Sequence, residues 1–244
     1  MTWHLPGVAA AALLLAAPAA AADSCAGTAP FDYNARWDAL FATATAWQYP
    51  ATSSCLTSAN GLGRRKLDGK LYQKDGQLWF GLDGGPGTRS ELRGANLAAR
   101  GGTMAGTAVV RIDTAGRKFT VAQMLNETPS LRGGGQDPIV RLEVDNGVLE
   151  LIYYDRNGSG SQVVGNLVPA LREGSSFTFE VRQWPGASAS EFDLEVRVNG
   201  AVVLPRRRVT GYDSAKSYFK AGCYVNANGG DGCRSSFEAL QFGS

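Results

Sequence analysis

The sequence predicts an all-β fold, a sandwich of antiparallel strands with little helix, and three observations carry that expectation. From residue 67 onward, short runs rich in β-branched and aromatic residues alternate with turn markers such as Lys74-Asp75-Gly76, Asp145-Asn146-Gly147 and Trp184-Pro185-Gly186. Asn199-Gly200 stands between two such runs, the pairing preferred for a two-residue hairpin. Within the run before it, Phe192, Leu194, Val196 and Val198 occupy alternate positions, the period of a half-buried strand. Serial hairpins of this kind stack into antiparallel sheets.

Residues 8–22 are almost wholly Ala and Leu, are too few to span a bilayer and end in small residues before Asp23. They read as a secretory signal, so residues 1–22 are set aside and a secreted protein, extracellular or periplasmic, is expected. Residues 23–244 are expected to form one domain, since sandwiches of this length are common as single units. The segment 23–66 has no evident role. Within it Trp37, Leu40, Phe41 and Ala44 recur at helical spacing and predict a short amphipathic helix over 34–45. A weaker helical turn is expected near 96–99. Strands are expected over 70–73, 78–82, 139–144, 148–154, 176–183, 192–198 and 201–204.

All four cysteines lie beyond the leader, an even number that suggests disulfides in a secreted chain. Of the possible pairings, the expected one joins Cys25 to Cys55, tying down the N-terminal segment, and Cys223 to Cys233, closing a Gly-rich loop. A zinc site would need a closer cysteine spacing or histidines, and the one histidine is His4, inside the leader. No metal or cofactor is expected. The formal net charge of +2 gives no ground for a nucleic acid partner, and no later stretch is apolar for long enough to enter a membrane. A monomer is expected. The clusters Arg64-Arg65-Lys66 and Arg206-Arg207-Arg208 read best as solvated loops or edge strands blunted by charge.

Three segments carry chemistry: Arg89-Ser90-Glu91-Leu92-Arg93, Gln123-Met124-Leu125 and Tyr218-Phe219-Lys220-Ala221-Gly222-Cys223-Tyr224. On a strand, alternate side chains share a face. That rule groups Arg89 with Glu91 and Arg93, Gln123 with Leu125, and Tyr218 with Lys220 and Tyr224. Leu92, Met124, Phe219, Ala221 and Cys223 turn the other way. One face is polar and the other is core.

In order and spacing these segments resemble the family 7 polysaccharide lyases, the alginate lyases, which read R-S/T-E-L-R, then Q-I/V-H, then Y-F-K-A-G-x-Y. The resemblance spans roughly residues 67–242 and implies a β-jelly roll of two antiparallel sheets with a concave substrate groove. It implies an enzyme that cleaves an acidic polysaccharide, with Arg89, Gln123 and Tyr224 as catalytic residues. Lys220, Arg93, Glu91, Leu125, Tyr218 and Asn226 would line the groove around the substrate. Where the family carries histidine, this chain has Leu125.

The residue types suit β-elimination. The C5 proton beside a uronate carboxylate must be removed, the charge developing on that carboxylate stabilised, and the C4 oxygen protonated as it leaves. An arginine fork and a carboxamide donor suit the carboxylate, assigned to Arg89 and Gln123. Tyr224 is then the base and the acid, and Glu91 is expected to hold Arg89 as an ion pair. Without an imidazole one phenol must serve both steps, so proton and leaving oxygen must lie on one side of the ring. That is syn elimination, and it predicts cleavage of mannuronate-rich alginate or glucuronan, with guluronate blocks resisted.

Two other classes compete. A lectin-like jelly roll would bind acidic glycans without cutting them, because an apolar Leu125 removes a polar group from the site. A glycoside hydrolase would need two carboxylates facing one bond; Glu143 with Asp145, and Glu191 with Asp193 and Glu195, read instead as exposed strand faces. Asn126 and Asn157 head N-x-S/T sequons.

Overall fold

In the computed structural model the described residues are 29–30, 35–48, 65–66, 71–97, 100–111, 117–129, 136–154, 156, 161–226, 229–230 and 232–243. The leader with His4, the residues Cys25, Cys55 and Asn157, and 98–99 of the weaker expected turn lie outside them. In chain order the elements are β1 (Ala29–Pro30), a 3-10 turn (Ala35–Trp37) leading into α1 (Asp38–Thr43), β2 (Ala44–Gln48), β3 (Arg65–Lys66), β4 (Leu71–Lys74), β5 (Gln77–Leu82) and β6 (Arg89–Asn96). They continue as β7 (Gly102–Val110), β8 (Lys118–Pro129), β9 (Gln136–Asp145), β10 (Val148–Tyr154), β11 (Ser161–Val168), β12 (Ser176–Pro185), β13 (Glu191–Val198) and β14 (Ala201–Thr210). A 3-10 turn (Ser214–Lys216) precedes β15 (Ser217–Val225) and β16 (Cys233–Gly243).

Two seven-stranded sheets face each other. One runs β11-β10-β9-β8-β15-β6-β2 and the other β14-β13-β12-β7-β16-β5-β4. All their pairings are antiparallel, and the chain passes between sheets from β6 to β7 to β8 and again from β14 to β15 to β16, which makes the sandwich a jelly roll. Alternation fixes the inner faces. Phe192, Leu194, Val196 and Val198 of β13 are buried, as are Phe177, Phe179 and Val181 of β12, and Leu92, Met124, Phe219, Ala221 and Cys223 close the core from the other sheet. Each large apolar side chain so buried contributes about 1.5–3 kcal/mol, so inter-sheet packing holds the fold.

Two elements differ from the sequence expectation. The helix is shorter, because at Ala44 the chain turns extended and pairs with β6, setting Ala44 opposite Gly94 and Trp47 opposite Leu92. Trp47 thereby buries its ring, and its indole N–H donates to Ser90 Oγ at 3.2 Å. β14 is longer than 201–204 because its arginines are held along the edge. Asp193 Oδ2 binds Arg206 at 2.8 Å, and Asp193 Oδ1 binds Arg208 at 2.5 Å.

β15 lies at the centre of the first sheet and is pinned twice. Cys223 and Cys233 form a disulfide that joins β15 to β16 and hence one sheet to the other. Gly222 has φ +149°, and a Cβ there would lie 2.2 Å from the Ser90 carbonyl oxygen, so only glycine lets β6 approach this closely. The Asn126 sequon is shut within the fold. Its side chain is fully buried, donating to Ser217 Oγ at 2.8 Å and to the Asp213 carbonyl at 2.7 Å, which leaves no room for a glycan.

Candidate active site

The outward face of the first sheet gathers the three motifs on adjacent strands. On β15, Tyr224 stands opposite Arg89 of β6 and Thr120 of β8, Lys220 opposite Arg93 and Gln123, and Tyr218 opposite Leu125. Glu91 lies between Gly222 of β15 and Gln48 of β2. Residues distant in sequence thus become neighbours through antiparallel register.

Arg89, Gln123 and Tyr224 are linked by a chain of contacts that runs through Glu91. The Arg89 guanidinium carbon is 4.5 Å from the Tyr224 ring centroid, and Tyr224 is partly exposed on the open face. The expected ion pair of Glu91 with Arg89 is present, at the long end of the range, Nη1 to Oε2 at 3.8 Å. The shorter bond of Glu91 is with Gln123, whose Nε2 donates to Oε1 at 2.6 Å. Both groups are buried, so the bond lies out of water where it is strongest. Glu91 Oε2 and Arg89 Nε are buried without a hydrogen-bond partner among the described residues.

Lys220 is far from its solution chemistry. It is 2% exposed, and its Nζ donates to Gln48 Oε1 at 2.5 Å. Burial pushes its amine down to about 8; Glu91 opposes that change, and Arg89 and Arg93 add to it. Tyr218 is buried beside it, with Lys220 Nζ 5.6 Å and the Arg93 guanidinium 3.8 Å from its ring centroid. Burial pushes the Tyr218 phenol up to about 12, so it remains neutral. Arg93 is held in turn by Asn96 Oδ1 at 2.7 Å and Glu127 Oε1 at 2.5 Å. Leu125 sits on the same face, pairing across to Pro138 of β9 and offering only an apolar surface.

Asn226, expected beside the substrate, has its amide committed elsewhere. Its Oδ1 accepts from Thr120 Oγ1 at 2.9 Å and Arg141 Nη1 at 3.3 Å, and its Nδ2 donates to Glu143. This network was not apparent in the sequence, where Glu143 reads as an exposed strand residue. Glu143 is fully buried, with Lys118 Nζ at 2.9 Å and Arg141 Nη2 at 3.8 Å. Burial alone would lower Lys118, but hydrogen bonds to Asp145 and Glu143 push it up to about 12. The parity of Arg141 and Glu143 against Val140, Leu142 and Val144 was a usable signal; the adjacency of β9 to β8 was not. Gln48 was missed because its segment carries no motif.

These residues form an open face, whereas a cavity of about 590 Å³ lies against the second sheet, lined in part by Arg36, Trp37, Thr107, Thr178 and Gln241. Charge and burial single out the open face, where Lys220 and Glu91 are both sunk into the sheet.

Fold and face together define a class: a jelly roll that carries a buried lysine, partly buried arginines and a phenol on one sheet. A family model described as alginate lyase matches residues 72–243, so the chain belongs to the alginate lyase family, polysaccharide lyase family 7, and is a polysaccharide lyase. An alginate lyase from Pseudomonas aeruginosa superposes with a TM-score of 0.63 at 18% identity, covering 83% of this chain and 98% of that one. Alginate lyase A1-II′, a member of family 7, gives 0.60 at 24% identity, with 86% and 99% covered. A marine family 7 alginate lyase from Zobellia galactanivorans gives 0.56 at 19%, with 86% and 100% covered. At these identities the likeness shows the fold. No curated protein sequence is significantly similar to this chain.

Proposed function

We propose that this protein cleaves mannuronate-rich alginate or glucuronan by syn β-elimination, with Tyr224 as both base and acid. The carrying observation is the relay of contacts from Tyr224 through Arg89 and Glu91 to Gln123, with an apolar Leu125 two positions along from Gln123. The uronate carboxylate is held by the Arg89 guanidinium and by the Gln123 amide hydrogen that Glu91 leaves free. Glu91 keeps that amide turned so that its remaining N–H faces the groove. As phenolate, Tyr224 takes the C5 proton, and the electron pair left at C5 forms the C4–C5 double bond. The bond from C4 to the glycosidic oxygen breaks, and that oxygen leaves with the proton Tyr224 returns. Arg89, lying over the phenol ring, and Gln123 stabilise the negative charge in transit.

Two further features support an acidic polymer. Buried Lys220 has a neutral amide as its hydrogen-bond acceptor and no carboxylate within ion-pair distance among the described residues; a buried cation of this kind is completed by an anion. In addition, Arg93, Lys220, Gln123 and Arg141 stand opposite one another on four successive strands, about 4.8 Å apart. A chain lying across the strands meets a cation or an amide at each step. Variants of A1-II′ have been crystallised with the product GGG and with the substrate GGMG, which accords with an oligouronate in this groove. Secretion belongs to the same reading, supported by the apolar leader and by the Cys223–Cys233 disulfide.

Leu125 favours one second reading, a binder that holds acidic glycans without cutting them. Tyr224→Phe separates the two. A lyase loses turnover by about a thousandfold while retaining its affinity for the polymer; a wild-type protein that binds the polymer and releases no unsaturated product is a lectin.

A further inference from the structure

Residues before 72 lie outside the family match, yet one of them reaches the middle of the site. We propose that Gln48 is a positioning residue of the groove, whose amide oxygen fixes the Lys220 ammonium so that its remaining N–H groups present positive charge to a uronate carboxylate. The proposal rests on the polyuronate reading above and adds to it a part from outside the family match.

The N-terminal segment is built to deliver this residue. Trp37, Leu40, Phe41, Ala44 and Trp47 are all buried, so 35–48 is packed into the core. β2 then pairs with the outer edge of β6, setting Gln48 directly opposite Glu91. From there Gln48 Oε1 accepts from Lys220 Nζ at 2.5 Å, across the whole width of β6. An ammonium has three hydrogens to donate, and one is spent here.

The choice of a neutral acceptor matters. The groups facing Lys220 are Arg89, Glu91 and Arg93 on β6, Tyr218 and Tyr224 on its own strand, Gln123 on β8, with Glu127 reaching Arg93, and Gln48 on β2. A carboxylate at position 48 would neutralise the lysine and compete with the substrate. An apolar residue would leave a buried ammonium with no acceptor and favour its neutral form. Glutamine sits between these outcomes, keeping the charge while leaving it available. Because burial has already brought the amine to about 8, a modest change at position 48 moves its titration into the working range.

The test uses the full chain with lysines labelled at ¹³Cε, the Lys220 resonance being assigned by its loss in Lys220→Arg. Lys220 titration is followed by NMR, and the pH dependence of KM on mannuronate blocks is followed in parallel. In Gln48→Leu the Lys220 titration and the alkaline rise in KM both move down by about one pH unit, and in the near-isosteric Gln48→Glu both move up by about as much, with KM at neutral pH raised several-fold. An unmoved Lys220 titration in both variants, or a loss confined to kcat, overturns the role given to Gln48. If wild type cleaves no polyuronate, the lyase reading fails, and the NMR titration still decides whether Gln48 governs Lys220.

Discussion

In the proposed syn elimination, the choice of polymer turns on Leu125. It faces the groove opposite Tyr218, and nothing else on that face among the described residues supplies an imidazole. Placing histidine there would give the groove a second proton-transfer group, on a different strand from Tyr224. Leu125→His is therefore expected to add cleavage of guluronate blocks, where proton and leaving oxygen lie on opposite sides of the ring, at least tenfold above wild type; unchanged block preference would remove Leu125 as the determinant. Arg89 tests the other half of the site. Its planar fork lies over Tyr224 and toward Glu91, a geometry that an ammonium does not reproduce. Arg89→Lys should lower kcat by about a hundredfold with a smaller change in KM, read from initial rates at saturating polymer.

At the scale of the element, β15 carries the site and both of its pins are testable. Gly222→Ala drives a methyl into the Ser90 carbonyl, so β15 and β6 must part, at about 1–3 kcal/mol; a lowered urea midpoint with a lowered kcat checks it. Replacing Cys223 and Cys233 by serine should cost about 2–4 kcal/mol, because the bridge joins the two sheets beside Tyr224. β15 was also the most legible element. Strict parity separated Tyr218, Lys220 and Tyr224 from Phe219, Ala221 and Cys223 before any strand was placed, and the same rule sorted β6. Parity says which residues share a face, but not which strands are neighbours. Hence the bond between Glu91 and Gln123, two strands apart with β15 between them, is not legible in the sequence although the pair of Glu91 with Arg89 is, and Glu143 reads as solvent-facing although β9 buries it against Lys118, Arg141 and Asn226.

For the whole molecule, pH sets activity and stability against each other. Lys220 has its folded value lowered from 10.5 to about 8, so between those values the unfolded chain binds more protons and stability rises with pH. Over the same interval the proposed groove loses a positive charge, and KM for a polyuronate is expected to rise. Tyr218, raised from 10.0 to about 12, works the other way: above pH 10 the folded state holds more protons and stability falls. Urea unfolding at pH 7.5 and 9.5 should thus show a gain in wild type that is absent in Lys220→Met, and an equal gain in both would detach it from Lys220. The jelly roll itself was readable from turn markers and alternation, since every strand had to present one face to the interior. The contribution of the N-terminal segment was not, because Gln48 matters only through a partner 172 residues later in the chain.

The most direct test of the account follows ultraviolet absorbance of the unsaturated product while purified protein acts on mannuronate blocks, guluronate blocks and glucuronan. Elimination through a single phenol predicts that absorbance rises on mannuronate blocks, glucuronan or both, and stays near baseline on guluronate blocks. Faster cleavage of guluronate than of either other polymer would contradict it.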